Sequence, residues 1–232
     1  MNATSADIKS KAREWGADLC GIASADTFSA APASYRPGDV LPRCRSVVVV
    51  AKRFLTSTLA ASSTIPYTVI RNYLSAEMDR LSIQLSYHLE SLGAKAIPTG
   101  AIGPCRWNKE TRKSMGLISL KHAAVQAGLG RMGKNTLLIN DKHGNMIWLG
   151  AVLTTHELER DPLVRYETCP EKCRLCLQAC PVQAMDGVSI DQAKCWNHAF
   201  GADDQGEWRI RCFKCRDVCP NKLGVKTRKK AG

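Results

Sequence analysis

Eight of the eleven cysteines lie in one stretch of the sequence, between Cys169 and Cys219. This stretch reads CPEKCRLCLQACP at 169–181, continues to an isolated Cys195, and ends with CFKCRDVCP at 212–220. In two-cluster ferredoxins, a run of the form C-x2-C-x2-C-x3-C-P gives its first three cysteines to one iron–sulfur cluster and its last cysteine to the other. Eight thiolates are the number that two [4Fe–4S] clusters require. The spacing therefore predicts two clusters and a role in one-electron transfer.

Both halves of this stretch end in x3-C-P, which favours a crossed assignment of the ligands. Two features depart from the ferredoxin pattern: the first gap is C-x3-C, and the second set includes the distant Cys195. One predicted cluster is ligated by Cys169, Cys173, Cys176 and Cys219, and the other by Cys180, Cys195, Cys212 and Cys215.

Zinc and disulfides are the alternatives for so many cysteines. A zinc ribbon has paired C-x2-C knuckles that close one tetrahedron, and the spacing here differs, although zinc remains the main alternative. A disulfide framework requires an oxidising compartment, and the first twenty residues contain no apolar signal-peptide core. We expect a cytoplasmic protein. No apolar run approaches the roughly 18 residues that would span a membrane.

Length and charge limit the other possibilities. The chain has 232 residues, which suffices for a larger domain over 1–160 and a small cysteine-rich one over 161–232 that depends on metal for folding. The formal charge of +12 indicates an anionic partner, such as nucleic acid, an acidic protein or a phosphate-bearing cofactor. The C-terminal run around Lys222, Lys226, Arg228, Lys229 and Lys230 fits a solvated tail better than a nucleic-acid arm.

The elements that must position the cysteines alternate between helices and strands. Helical patterns cover 4–16, ending at Gly16, and 74–92, with an apolar stripe of leucines and Met78. Strand patterns cover 17–23, 46–54 and 94–100, and the run SVVVV suits a central strand. Residues 27–45 read as an irregular loop. These patterns predict an α/β fold.

The three cysteines outside this stretch are predicted not to be ligands. Cys20 and Cys44 are expected to pack in or beside strands. Cys105 lies in a basic loop over 103–116 and is expected to be a half-buried, inert thiol.

A glycine-rich turn lies in the segment 117–155. Gly128-x-Gly130-x-x-Gly133 matches a dinucleotide fingerprint, and the run to Lys134 falls one residue short of a P-loop because Asn135 replaces Ser or Thr. Both motifs need a strand before the glycines and a helix after them. Here a helical pattern precedes them and a hairpin pattern, turning at 141–145, follows. We therefore reject nucleotide binding.

AGLGRMGKNTLLI and LGAVLTT, taken with the cysteine run, resemble the epoxyqueuosine reductases and, more distantly, the reductive dehalogenases. The likeness continues through DQAKCWNHAF and CFKCRDVCPN, reaches back to YTVIRNY at 67–73, and so covers most of the chain. It is also close to a group of short iron–sulfur proteins from anaerobes.

The resemblance implies a nitroreductase-like α/β domain over 1–160 and a two-cluster ferredoxin-like domain over 161–232. It also implies a base-off cobalamin, reduced through the clusters, with an electron donor of the ferredoxin or flavodoxin type. Arg71 and Tyr73 would line the substrate side, and Tyr73 would donate a proton. The turn would cradle the corrinoid, since its glycines let backbone amides approach a ligand and Lys134 supplies a positive charge. The predicted cradle residues are Gly128, Gly130, Gly133, Lys134 and Asn135.

Two departures from the family affect the predicted function. The sequence ends at Gly232 without the helical-repeat domain that the family places against tRNA, and Ser114 aligns with the family's proton-donor aspartate. Two functions stay open: a corrinoid-dependent reductase, which we favour, and an electron carrier without a substrate of its own. Nucleic-acid binding is the weakest expectation, because the basic tail lacks interleaved aromatic residues.

Overall fold

The computed structural model of the protein describes residues 3–203 and 205–225. Its strands, in chain order, are β1 (Leu19–Ser24), β2 (Ser46–Arg53), β3 (Ala96–Thr99), β4 (Arg106–Asn108), β5 (Lys113–Met115), β6 (Arg131–Met132), β7 (Leu138–Ile139), β8 (Ile147–Thr154), β9 (Phe200–Ala202) and β10 (Trp208–Ile210). Its α-helices are α1 (Ser5–Glu14), α2 (Pro37–Val40), α3 (Ile65–Ser91), α4 (Leu120–Gln126), α5 (Leu175–Gln178), α6 (Gln192–Ala199) and α7 (Lys214–Asp217). Short 3₁₀ turns cover Ala25–Phe28 and Thr56–Ala60.

The predicted first helix is confirmed and begins with a capping box. The Thr4 hydroxyl accepts a hydrogen bond from the Asp7 backbone N–H at 3.3 Å, and the Asp7 carboxylate accepts one from the Thr4 backbone N–H at 2.9 Å. Gly16 follows the helix with a φ of +107°, a conformation that glycine adopts without strain.

A four-stranded antiparallel sheet in the order β1-β2-β8-β3 forms the centre of the molecule. β2 is buried from Ser46 to Ala51, which confirms the prediction of a central strand. Val48 and Val50 pack against α1 and α3 on one face, whereas Val47 and Val49 pack against α4 and Leu129 on the other. Alternate side chains of one strand thus serve two cores, and helices cover both faces of the sheet.

Helix α3 is longer than the sequence pattern indicated. Its predicted stripe of Leu74, Met78, Leu81, Leu85 and Leu89 is buried as expected. The segment YTVIRNY, expected to lie before the helix, occupies its first turns instead. A proline in the first helical turn, where its missing N–H has no partner to lose, makes this early start possible.

The predicted hairpin across 141–145 is wrong. β7 pairs with β6, while β8 crosses to the middle of the main sheet and pairs with β2 and β3. Only an isolated bridge between Asn140 and Gly144 remains at the turn. β8 is buried along most of its length, so pairing within the sheet core outweighs pairing with its neighbour in sequence. The basic loop over 103–116 also contains a short hairpin, β4–β5.

The cysteine-rich segment after residue 160 is built from short elements, α5, α6, α7 and the hairpin β9–β10. It packs on the sheet through an aromatic cluster in which Tyr67 stacks on Phe213 with ring centroids 4.1 Å apart and on Phe54 at 5.1 Å. The basic tail predicted at Lys226, Arg228, Lys229 and Lys230 lies outside the described residues. Within the described residues, no helix is long and apolar enough to cross a membrane.

Candidate redox centre

Four of the eight cysteines surround one space, which we call site one. Two come from the loop before α5, one from α5 itself and one from the turn after α7, where α5 and α7 pack together. Lys134, Asn135, Thr168 and Leu175 complete the wall. The cysteines of site one are Cys169, Cys173, Cys176 and Cys219.

The other four cysteines surround a second space, site two, next to α6 and the start of α7. Val182, Ala184, Met185 and Ile190 contribute apolar side chains to the lining of this space, which also includes His198 and Lys214. The cysteines of site two are Cys180, Cys195, Cys212 and Cys215.

The two sets cross in sequence. Cys219 closes site one although Cys212 and Cys215, its neighbours in sequence, belong to site two, and Cys180 crosses in the opposite direction. This is the division that the x3-C-P spacing favours. Among the described residues, no three His, Cys, Asp or Glu side chains are gathered closely enough to hold a single metal ion. Each set lines a space between several short elements.

In both sites the backbone donates hydrogen bonds to cysteine sulfur. The Lys134 N–H donates to Cys169 Sγ at 3.4 Å, and the Ala184 N–H donates to Cys180 Sγ at 3.3 Å. Burial raises the pKa of the Cys176, Cys195 and Cys219 thiols, and it raises that of Cys215 to about 11. Thiolates in these positions therefore require compensation, and metal coordination, which deprotonates the thiol, supplies it.

Lys134 ties the glycine-rich turn to the loop of site one. Its ammonium group donates to the carbonyl oxygens of Pro170 at 3.3 Å, Glu171 at 2.5 Å and Cys173 at 3.1 Å. These three acceptors are backbone carbonyls of the protein. The sequence predicted a corrinoid tail as the partner of Lys134 instead.

Two buried asparagines hold the segment of site two. Asn135 is 2% exposed and donates its side-chain amide to the carbonyl of Cys215 at 3.1 Å. Asn145 is 1% exposed and donates to the carbonyl of Arg216 at 3.2 Å. Both bonds link the sheet portion to α7 and fix the backbone that carries the ligands.

The glycines of the turn are explained by internal packing. A Cβ on Gly130 would lie 2.5 Å from the carbonyl oxygen of Ile139, and one on Gly133 would lie 2.5 Å from the Ile139 side chain. Gly128 has a φ of +69° and packs its open side against the carbonyl of Pro162. Each glycine thus faces the chain's own atoms at the point where the sequence reasoning had placed a cofactor.

Site two has two cations beside it that sequence reasoning missed. Arg216 is 6% exposed, and its Nη1 is buried without a hydrogen-bond partner. Lys121, at the start of α4, is partly buried; burial and the charge of Arg216 lower its pKa, whereas the nearby thiols of Cys215 and Cys195 act in the opposite direction. Among the described residues, neither forms an ion pair with a carboxylate. A cluster with four thiolate ligands is anionic and fits this surplus of positive charge. The only signal in the sequence was the position of Arg216 between Cys215 and Cys219.

The predicted substrate-side residues lie on the first turns of α3. Arg71 places its guanidinium over the rings of Trp148, 5.6 Å away, and Trp208, 6.0 Å away, and its buried Nε has no hydrogen-bond partner. Desolvation lowers the pKa of Arg71. Tyr73 is 53% exposed. The structure therefore holds Arg71 firmly and leaves Tyr73 open to solvent.

Ser114, at the position aligned with the family aspartate, lies on β5 and donates its hydroxyl to Cys105 Sγ at 2.8 Å. The Ser114 backbone N–H also donates to the side chain of Gln192 at 2.5 Å, which fixes the hairpin against α6. Cys105 is exposed, so the expectation of a half-buried thiol is wrong. Cys20 and Cys44 are buried, as predicted.

The fold and the two cysteine sets together define a class. The chain is a mixed α/β protein whose antiparallel sheet carries an appended cysteine-rich segment. No family model matches the chain. Comparison with curated proteins and solved structures identifies the family within this class.

One relative is the epoxyqueuosine reductase of Gloeobacter violaceus, which is 31% identical in an alignment that covers 96% of this chain and 77% of the relative. The epoxyqueuosine reductase of Synechocystis is 28% identical, covering 78% of this chain and 64% of that protein. The chain belongs to the epoxyqueuosine reductase family.

Solved structures show the same fold at low sequence identity. A catabolic reductive dehalogenase aligns with a TM-score of 0.69 at 19% identity over 94% of this chain and 32% of that one. An epoxyqueuosine reductase crystallised with an epoxyqueuosine-modified tRNA stem loop aligns with a TM-score of 0.61 at 20% identity, over 95% of this chain and 66% of that one. A reductive dehalogenase described in terms of B12-dependent dehalogenation aligns with a TM-score of 0.59 at 18% identity, over 92% of this chain and 29% of that one. The chain therefore spans about two thirds of the tRNA-bound structure and about a third or less of the dehalogenases.

Proposed function

We propose that the protein is an iron–sulfur oxidoreductase of the epoxyqueuosine reductase type, with one [4Fe–4S] cluster in site one and one in site two. Residues 161–232 would form a ferredoxin-like domain on an α/β domain of residues 1–160. The observation that carries the proposal is the separation of eight cysteines into two crossed sets of four around two distinct spaces.

Bound clusters would supply one-electron transfer. The chain's own residues would contribute ligation, positioning and electrostatics. The eight thiolates ligate, the N–H groups of Lys134 and Ala184 donate to cysteine sulfur, and Asn135 and Asn145 fix the backbone of α7. Lys134 orders the loop between Cys169 and Cys173 through three carbonyls.

A base-off corrinoid is the further cofactor that the proposal includes, supported by family membership and by the B12-dependent neighbour. The residues expected to cradle it, Gly128, Gly130, Gly133, Lys134 and Asn135, do not fit that role, because their open sides and donor groups are taken by the chain itself. We reassign them to positioning sites one and two, and derive no catalytic step through the corrinoid.

Arg71 is the residue that we propose on the substrate side. It is a partly desolvated cation that lies over the rings of two tryptophans, with no carboxylate partner among the described residues, so an anionic group of a substrate would complete its surroundings. Tyr73, exposed two residues further along α3, remains our proposed proton donor.

The alternative function is an electron carrier without a substrate of its own. The replacement of the aligned family aspartate by Ser114, whose hydroxyl is engaged with Cys105, favours it. In either case, the charge of +12 supports an acidic electron donor of the ferredoxin or flavodoxin type.

The tRNA stem loop bound by a structural neighbour counts against our expectation that nucleic acid is not a partner, and we add tRNA to the candidate partners.

Anaerobic purification with iron, sulfide, zinc and cobalt analysis tests the proposal. We expect about eight irons and about eight acid-labile sulfides per chain. Stoichiometric zinc without iron would refute the cluster assignment. Added Co(II) cobalamin should show a blue shift in absorbance as its lower base is displaced, and failure to shift at any ratio would leave the electron carrier as the supported function.

A further inference from the structure

We infer that Lys121 and Arg216 raise the reduction potential of the cluster in site two above that of the cluster in site one. The inference rests on the proposed function, since it concerns the clusters that we place in these sites. It assigns a role to two side chains that lie beside the ligands without being ligands.

Arg216 brings a buried positive charge close to Cys215, one of the cysteines of site two. It follows Cys215 directly, is 6% exposed and stacks its guanidinium over Phe54 at 5.0 Å. Its Nη1 is buried and has no hydrogen-bond partner. A cation so placed needs a nearby negative charge to offset the loss of hydration.

Lys121 brings a second positive charge near Cys195 and Cys215 of site two. Its ammonium donates a hydrogen bond to the carbonyl oxygen of Thr136 at 2.6 Å. The residue before Thr136 is Asn135, whose side chain donates to the carbonyl of Cys215. Burial and the proximity of Arg216 both lower the pKa of Lys121, while the thiols of Cys195 and Cys215 act in the opposite direction. Lys121 and Arg216 therefore both lie near Cys215.

Site one has a different electrostatic environment. The cation in its lining is Lys134, and the ammonium of that residue is surrounded by three backbone carbonyl oxygens whose dipoles offset its charge. Site two, with Lys214 in its lining and Lys121 and Arg216 nearby, thus has more uncompensated positive charge than the lining of site one.

Positive charge favours the reduced cluster, which has one more negative charge than the oxidised cluster. Hydrogen bonding and burial around the sulfurs determine the reduction potential of a cluster. Nearby positive charge raises that potential, because it stabilises the reduced cluster. Because the effective dielectric constant is low in a partly buried site, a single cation has a larger effect there than at the surface. With one electron added per molecule, we expect the reduced signal of site two to appear first.

The test is an EPR-monitored redox titration of the anaerobically purified, iron-loaded protein. The signals are assigned with Cys219→Ala for site one and Cys212→Ala for site two. In the wild type, the midpoint potential of site two should be the higher. Lys121→Gln removes the charge but keeps a donor for the Thr136 carbonyl, and should reduce the equilibrium constant for reduction of site two at least about tenfold, which is 59 mV for one electron. The potential of site one should not change.

Two control variants separate charge from packing. Lys121→Arg keeps the charge and should restore the wild-type potential, whereas a purely structural role would make Gln and Arg behave alike. Lys172→Gln removes an exposed charge from the loop of site one and should leave site two unchanged. If Lys121→Gln loses iron, Lys121→Met provides a second neutral variant.

Each outcome decides the inference. Equal potentials in the wild type, or a Lys121→Gln variant with full iron content and an unshifted site two, would overturn it while leaving the proposed function intact. A wild-type protein without iron and sulfide would overturn both.

Discussion

The side-chain amide of Asn135 donates a hydrogen bond to the backbone carbonyl of Cys215, and the two atoms lie 3.1 Å apart. The preceding residue, Lys134, bonds to three carbonyls in the loop of site one. Two consecutive residues of one turn thus hold the backbone of both cysteine sets. The spacing between sites one and two is therefore set by the α/β portion as well as by the cysteine-rich segment.

Asn135→Ala tests the link to site two. The variant leaves the Cys215 carbonyl without this donor and removes the acceptor for the Leu137 N–H, at a position that is 2% exposed. Loss of a buried hydrogen-bond partner costs about 1–3 kcal/mol of the free energy of unfolding. Denaturant unfolding under anaerobic conditions measures it. Asn197→Ala, an exposed site in α6, is the control and should differ from wild type by less than about 0.5 kcal/mol. Equal stabilities for the two variants would contradict the link.

Lys134→Met tests the link to site one. The methionine keeps most of the side-chain volume but cannot donate to the carbonyls of Pro170, Glu171 and Cys173. We expect iron to leave site one roughly tenfold faster in the presence of a chelator, which corresponds to about 1.4 kcal/mol. Loss of half of the iron absorbance measures the rate. Lys172→Met, an exposed substitution in the same loop, should match the wild-type rate. A Lys134→Met protein that releases iron at the wild-type rate would refute the role.

Gly130→Ala tests whether the turn is a packing corner. The new Cβ would lie 2.5 Å from the carbonyl oxygen of Ile139, so backbone must move, and we expect the protein to lose about 1–3 kcal/mol of stability, as in other overpacked sites. Gly38→Ala is the control, because no atom lies within 4 Å of its Cβ position. Thermal unfolding of both variants gives the comparison. A Gly130→Ala protein as stable as Gly38→Ala would show that the turn has free space and would reopen the cofactor cradle.

Much of the fold was predictable because local patterns and tertiary burial agree. The helical spacing that ends at Gly16 predicted the first helix, and the valine run of β2 predicted the central strand. The β7–β8 hairpin failed because strand pairing depends on non-local contacts: β8 is stabilised by β2 and β3, which are far away in sequence. The start of α3 was missed because its first turns carry polar residues that only tertiary contacts, such as Tyr67 on Phe213, explain.

The candidate site was predictable only where spacing encodes chemistry. The number of cysteines and the x3-C-P ending of each run indicate two clusters, so the grouping of the ligands could be predicted from the sequence. The sequence of the glycine-rich turn is the same whether its glycines face a ligand or the carbonyl of Ile139. Only the structure distinguishes a ligand site from internal packing. Lys121 is one lysine among many in a basic chain, and nothing in the sequence shows that it lies near Cys195 and Cys215.

Cys20 and Cys105 are predicted to differ in thiol reactivity. Burial raises the pKa of Cys20 to about 12, whereas Cys105 is exposed. At pH 8, iodoacetamide should modify Cys105 quickly and leave Cys20 and Cys44 unmodified in the folded, iron-loaded protein. Mass spectrometry of peptides measures the labelling, and Cys105→Ser should abolish the fast phase. Rapid labelling of Cys20 without unfolding would contradict its buried position.

The same shift has a consequence for stability at high pH. The pKa of Cys20 is higher in the folded protein than its ordinary value of 9.0, so the folded state holds the proton more tightly than the unfolded state does. This contribution is fully present below pH 9 and is lost as the pH rises through about 12. The free energy of unfolding should therefore fall over this range, and Cys20→Ala should fall less steeply than the wild type. Identical slopes would show that Cys20 does not contribute.

Cys219→Ala and Cys215→Ala test the crossing of the two cysteine sets. Both residues follow α6 and stand four positions apart, yet Cys219 lines site one and Cys215 lines site two. Cys219→Ala should therefore remove the same EPR signal as Cys173→Ala, although Cys173 lies more than forty positions earlier in the sequence. It should not remove the signal that Cys215→Ala removes. The double variant Cys173→Ala/Cys219→Ala should lose no more iron than either single variant and retain about four irons per chain, since both changes remove ligands from one cluster. The pair Cys215→Ala/Cys219→Ala should lose both signals. Circular dichroism must first show that each variant keeps its folded sheet, because the cysteine-rich segment depends on metal for its stability. If Cys219→Ala instead removes the same signal as Cys215→Ala and leaves that of Cys173 intact, the clusters follow the order of the sequence and the crossed assignment falls.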